Sequence, residues 1–186
     1  MSLQEDNKVE FQKLIESRRS MRAYDAQKQV SKEQVEEIVK AATMAPSWKN
    51  SETARYYCVM QEKSDEFAAE CLPQFNINNS KGAALVVTTF VTNHSGFEND
   101  GITPTNECGN GWGYYDLGLH NEIFLLKAKE MGLDTLVMGI RDADKIREKL
   151  CIPENEQIVA VIALGYGDKE PKMPVRKEVK DILKFL

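Results

Sequence analysis

Apolar and polar positions along this chain follow two rhythms. Spacings of three and four residues mark Val9 to Glu16, where Phe11, Leu14 and Ile15 share a face. They are clearer after Ser31, where Val35, Ile38, Val39 and Ala42 recur; Ser31 and Gln34 form a capping box ahead of this second helix, and Pro46 breaks the chain after it. Runs rich in Val, Thr and Tyr predict strands over Arg55 to Gln61 and Ala83 to Val91, with a short helix over Asp65 to Leu72 between them. Tyr114 to Met131 reads as a long helix stopped by Gly132. Its apolar residues (Leu117, Leu119, Ile123, Phe124, Leu125, Leu126) occupy more than one face, which places it in a core or an interface. Leu133 to Gly139 and Ile158 to Tyr166 are two further strands, separated by an Asp142-capped helix that runs to Leu150 and ends before Pro153. Beyond Pro171 and Pro174, the residues Val179, Ile182, Leu183 and Leu186 form a last helical stripe. Alternation of α and β by itself suggests a parallel sheet.

The 186 residues fit one domain, spanning residues 1–186, and 42% hydrophobic with 28% charged residues is ordinary for a globular protein. A formal charge of −5 argues against nucleic acid as the main partner, so a cluster of positive residues here points to a pocket rather than a basic surface. No apolar run approaches the roughly 20 residues that span a bilayer, so no membrane partner is expected. Cys58, Cys71, Cys108 and Cys151 lie far apart with no close metal-type spacing. With no signal-like opening segment, they suggest a reduced cytoplasmic setting. His94 and His120 are too isolated for a metal site or a triad and read as structural, so no metal is expected. Asp116 reads as a helix-start residue rather than a general base.

Two short segments carry chemistry. Arg18-Arg19-Ser20-Met21-Arg22 places three guanidiniums and a hydroxyl within five residues, and each guanidinium is a planar fork matching two phosphate oxygens. A solvated patch at a helix C-terminus, where the dipole favours cations, is the bland account of the same residues. Ala45-Pro46-Ser47-Trp48-Lys49-Asn50 supplies a fixed backbone direction at Pro46, hydrogen-bonding groups at Ser47 and Asn50, and an aromatic surface at Trp48. Alone it is equally a helix-terminating loop. Together the two segments point to the 5′-phosphate and the isoalloxazine ring of FMN. Gly109 to Gly113 lacks the GxGxxG spacing and reads as a flexible turn. Asn93 to Gly113 is long and polar, a mobile loop that is either a lid carrying Phe97, Trp112 and Tyr114 or a disordered segment.

With these segments, the chain resembles the FMN-dependent nitroreductase family. Trp112 to Leu119 is similar to the start of that family's central helix, with Asn121 following. Gly132 to Gly139, Leu150 to Pro153, Ala163 to Gly167 and Pro174 to Lys177 are similar to four later segments in the same order. The resemblance implies an α+β fold, with helices around a largely antiparallel central sheet, and overrides the parallel reading. It implies that Arg18, Arg19, Ser20 and Arg176 hold the FMN phosphate and that Arg22 lies nearer the pyrimidine edge. Pro46, Ser47, Trp48 and Asn50 would border the isoalloxazine, often from the neighbouring subunit, and Met138 and Gly139 would pass close to the ring. It further implies a homodimer with FMN at the interface and residues 171–186 packed on the partner. No side chain need be catalytic, since FMN would carry hydride from NAD(P)H to a nitroaromatic or quinone acceptor by a ping-pong route. Glu52-Thr53-Ala54 departs from the Gln-Pro-Trp of many relatives. That departure leaves open a flavin-binding or sensing protein with little turnover, or a dehalogenase or flavin-fragmenting relative.

Overall fold

The computed structural model describes residues 3–186, with side chains from Glu10 onward. Its elements run α1 (Leu3–Ser17), α2 (Lys32–Ala42), a 3₁₀ turn (Trp48–Asn50), β1 (Ala54–Val59), α3 (Gln61–Cys71) and α4 (Gln74–Ser80). There follow β2 (Ala84–Val91), α5 (Gly111–Glu130), β3 (Asp134–Met138), α6 (Ala143–Leu150), β4 (Glu156–Gly165) and a 3₁₀ turn (Val179–Asp181). The strands form one sheet in the order β1-β2-β4-β3, with every neighbouring pair antiparallel. The α+β architecture with an antiparallel sheet therefore holds.

Both faces of this sheet are covered, which explains why the strands read as continuous apolar runs. Along β2, Leu85 and Val87 face α3 and α6, where Phe67, Cys71 and Ile146 pack with Val161 and Ala163. Val86 faces the opposite way, onto α2 and α5, where Ile38, Ala42, Phe124 and Ala128 pack with Ile162 and Leu164. Period-2 alternation thus divides side chains between two apolar cores rather than between core and water. Such runs are the usual mark of parallel sheets, so pattern alone misleads here.

The capping box forms as expected: Gln34 N donates to Ser31 Oγ at 3.2 Å, and Ser31 N donates to Gln34 Oε1 at 3.0 Å. Asp142 caps α6 by accepting from Lys145 N at 3.1 Å. Helix α5 starts at Gly111, three residues earlier than its apolar pattern suggests, because Gly113 brings its backbone onto the Phe90 ring. Its buried side carries Leu117, Phe124, Leu125 and Ala128, while Tyr114 and Tyr115 stay exposed. Helix α4 has no sequence counterpart above, since Gln74–Ser80 is mostly polar and carries no apolar period. The expected last helix does not form. A single 3₁₀ turn replaces it, and Val179, Ile182, Leu183 and Leu186 are exposed, because a short helix needs an apolar surface to pack on.

Residues 93–110 are tied by their own polar groups. Asn93 N donates to Asn110 Oδ1 at 2.7 Å, Asn110 Nδ2 returns to Asn93 Oδ1, and Trp112 Nε1 donates to Asn106 Oδ1 at 3.0 Å. All four cysteines are free thiols, and no helix among the described residues is long and apolar enough to cross a membrane.

A Cβ at Gly113 would overlap the Phe90 ring, a buried neighbour with no room to move. Gly113→Ala should therefore cost about 1–3 kcal/mol, as overpacking does, read as a lower urea midpoint with an unchanged m-value.

Candidate functional site: a cationic cleft and a strained aromatic loop

The segment after α1 is stitched to the outer edge of β3. Ser20 bridges Thr135, Met21 N donates to Thr135 O at 2.9 Å, and Tyr24 bridges Gly167. Met21 and Tyr24 are buried beneath it. Extended backbone turns alternate residues outward, so Ser20 and Arg22 face solvent on either side of Met21. Where the chain leaves β4, Asp168 N donates to Ala23 O at 3.0 Å, so the tail starts beside the same segment.

These two strands of chain enclose a cleft of about 320 Å³ lined by Arg18, Arg19, Ser20, Arg22, Pro171, Lys172, Pro174 and Arg176. No carboxylate lines it. Among the described residues, none of its four arginines nor Lys172 takes part in an ion pair. Arg19 Nη1 donates to Arg18 O at 2.6 Å and Arg22 Nη1 to Ser20 O at 3.3 Å, which orients two guanidiniums and leaves further donors open. Gathering like charges without a counter-ion is unfavourable unless an anion joins them. The donor set suits a phosphate dianion. Lys172 belongs to this set and was not anticipated; its signal was a cation between two prolines, close to Arg176.

Met138 and Gly139 lie at the other end of β3. The four steps from Thr135 to Gly139 cover about 13 Å of the same edge. Met138 is buried in the core, whereas a Cβ at Gly139 would meet nothing within this chain. Ser20, Thr135 and Gly139 thus share one sheet edge, with the cationic cleft at one end and an open backbone at the other. A molecule with an anionic tail and a flat head fits that layout.

Pro46, Ser47, Trp48 and Asn50 are not part of this cleft. Trp48 N donates to Asp116 Oδ2 near the start of α5, while the cleft lies by Asp134, which pairs with Lys129 near the helix end. The thirteen helical steps from Asp116 to Lys129 span about 20 Å. Within one chain the two predicted halves stay apart. Pro46 is exposed; Ser47 Oγ accepts from Glu52 N at 3.0 Å, and Asn50 Nδ2 donates to Glu52 Oε1 at 3.2 Å. The Trp48 indole lies 4.6 Å from that of Trp112, which in turn meets Tyr115 edge-on at 5.6 Å.

This loop is strained. Lys49, Asn50 and Glu52 all have positive φ (49°, 53° and 48°), a region that costs non-glycine residues about 1 kcal/mol or more each. Trp48 Nε1 is buried with no partner among the described residues. Asp116 corrects the sequence reading: it is the sixth residue of α5, buried, and accepts from Ser95 Oγ as well as from Trp48 N. A lone acid on an apolar helix face was the signal for it.

The model of the nitroreductase family matches residues 15–166. An Archaeoglobus fulgidus protein provisionally named NADH dehydrogenase/NAD(P)H nitroreductase is 29% identical over 162 residues, 85% of this chain and 86% of that one. A nitroreductase family protein from Streptococcus pneumoniae TIGR4 has a similar structure, with a TM-score of 0.80 at 20% identity over 95% of this chain and 100% of that one. A solved oxidoreductase containing FMN superposes with a TM-score of 0.71 at 26% identity, over 84% of this chain and 76% of that one.

His120, one turn beyond Asp116, is buried with both ring nitrogens unpartnered among the described residues. Burial holds its pKa below the ordinary 6.5, against the opposing pull of Asp116 and Glu52. The unfolded chain takes up this proton near 6.5 and the folded chain only at lower pH. Between those values the unfolded state binds more protons, so stability falls as pH drops below about 6.5. His120→Leu should flatten this acid limb in urea-unfolding series between pH 7 and 5.

Proposed function

The chain belongs to the nitroreductase family, and from that membership we propose that it is an FMN-dependent oxidoreductase acting between NAD(P)H and a small aromatic acceptor. The observation that carries this reading is the cleft of four arginines and one lysine without a carboxylate, set on the sheet edge that ends at Gly139. When bound, FMN supplies hydride acceptance from NAD(P)H and delivery to a nitroaromatic or quinone, in two half-reactions at one face.

The chain's own residues bind and orient. Arg18, Arg19, Arg176 and Lys172 neutralise the phosphate, and the Ser20 hydroxyl adds a donor. Arg22 brings positive charge toward the pyrimidine edge, where fixed donors favour developing negative charge. Pro46, Ser47, Trp48 and Asn50 border the ring system of a second copy, which accounts for their distance from the cleft of their own chain. The exposed apolar residues of the tail, Val175, Val179, Ile182, Leu183 and Phe185, pack on that copy and make a homodimer. Phe97, Trp112 and Tyr114 cover the flavin face. Glu52 favours a second reading, a flavin-binding protein with little turnover, because its carboxylate sits in the ring-bordering loop.

Purified protein titrated with FMN should bind it and bleach with NADH or NADPH under anaerobic conditions. Flavin that binds but stays oxidised with both donors favours the second reading. Arg18→Ala with Arg19→Ala removes charged hydrogen bonds of about 1.5–3 kcal/mol each and should weaken FMN more than a hundredfold. An unchanged affinity would reject the phosphate assignment. Deleting residues 171–186 should lower both FMN affinity and the sedimentation coefficient; a flavin-loaded dimer after deletion would reject the role of the tail.

A further inference from the structure

We infer that Asp116 and Ser95 are positioning residues that hold the Trp48–Glu52 segment in its strained, ring-facing conformation. The inference rests on the reading that this segment borders a flavin. Both residues are buried, at 3% and 2% exposure, and come from separate parts of the chain: α5 and the loop after β2. Asp116 Oδ2 accepts from Trp48 N at 3.0 Å and from Ser95 Oγ at 2.6 Å. Ser95 Oγ lies 2.7 Å from Ser51 Oγ and 3.4 Å from Thr53 Oγ1.

The direction of this relay follows from counting protons. A carboxylate only accepts, so the single proton of Ser95 goes to Asp116, and Ser51 must donate its own to Ser95. One buried anion therefore grips both ends of the segment, Trp48 directly and Ser51 through a hydroxyl. Between those grips lie Lys49 and Asn50, with Glu52 just after, all at positive φ. The other polar side-chain contacts of the segment are exposed: Ser47, Asn50 and Glu52 bond to one another, Arg55 Nη1 donates to Glu52 O at 2.8 Å, and Lys49 pairs with Glu98 at 3.9 Å, while Trp48 Nε1 has no partner among the described residues. Charge-assisted bonds are about twice as strong as neutral ones, which suits a carboxylate here better than an amide. Asp116→Asn keeps one oxygen for both donors but loses the charge that strengthens the two bonds.

The test is hydrogen–deuterium exchange on flavin-free protein, followed by FMN titration, visible circular dichroism and the flavin midpoint potential. The wild type, Asp116→Asn and Ser95→Ala are compared. Peptides covering residues 48–53 should exchange at least tenfold faster in both variants, with β2 and β4 unchanged. FMN affinity should fall less than tenfold, because the cationic cleft is intact, while the flavin dichroism changes. A tenfold difference between losses in the oxidised and reduced forms moves the two-electron midpoint by about 30 mV. Unchanged exchange at residues 48–53 overturns the inference whatever the flavin does. Faster exchange with wild-type dichroism and midpoint also overturns it, leaving the pair a purely structural role. If Asp116→Asn does not fold, Ser95→Ala, which removes one hydroxyl, decides the matter alone. Wild-type protein that takes up no FMN overturns the proposed function itself, a result seen before any variant is made.

Discussion

The backbone stitch between Met21 and Thr135, flanked by the Ser20 bridge, is the constraint on which the rest of the candidate site depends. It fixes an extended segment to the exposed edge of β3 and commits Met21 and Tyr24 to the core. The polar side chains beside them have no direction left but outward. Because Asp168 N bonds Ala23 O, the chain leaving β4 is held against the same segment. Positive charge from two distant parts of the sequence is thereby concentrated at one sheet edge, where self-repulsion opposes the arrangement and a bound anion relieves it.

Helix α5 is the spine between this cleft and the aromatic loop. Its buried residues cover one face of the sheet, its early carboxylate reaches Trp48, and its last turns reach Asp134 through Lys129. The two ends carry opposite kinds of local cost. At the cleft the cost is electrostatic, and a bound anion would remove it. At the loop it is conformational, in three left-handed residues and an unpartnered indole N–H, and it is met within the fold by a buried anion. Asn93 and Cys151 are also left-handed, but each stands alone; three such residues within a five-residue segment are a feature of sites that must present groups in a set orientation.

Much of this was legible in the residues themselves. The capping box at Ser31, the Asp142 cap and β-branched runs located most elements within a few residues, since those signals are local. The arginines were visible as a cluster, but their meeting with Arg176 depends on tertiary stitching and was anticipated through family resemblance alone. Lys172 went unseen for the same reason. The sheet's antiparallel sense was not readable from its strands, because two covered faces hide the alternation. Asp116 was misread because α5 begins three residues earlier than its apolar pattern, a start set by contact between Gly113 and Phe90. The tail's apolar stripe was real, yet with no surface of its own chain to cover it stays exposed and mostly unwound.

The cleft also has a temporal consequence. Its walls come from residues 18–22 and 171–176, with the whole sheet lying between them in the sequence. A growing polypeptide on the ribosome can form α2 and the first strands early, but it has no complete grip on a phosphate until Arg176 has been joined. Under the proposed function, a full grip on the anion would therefore come only after Arg176 has been added.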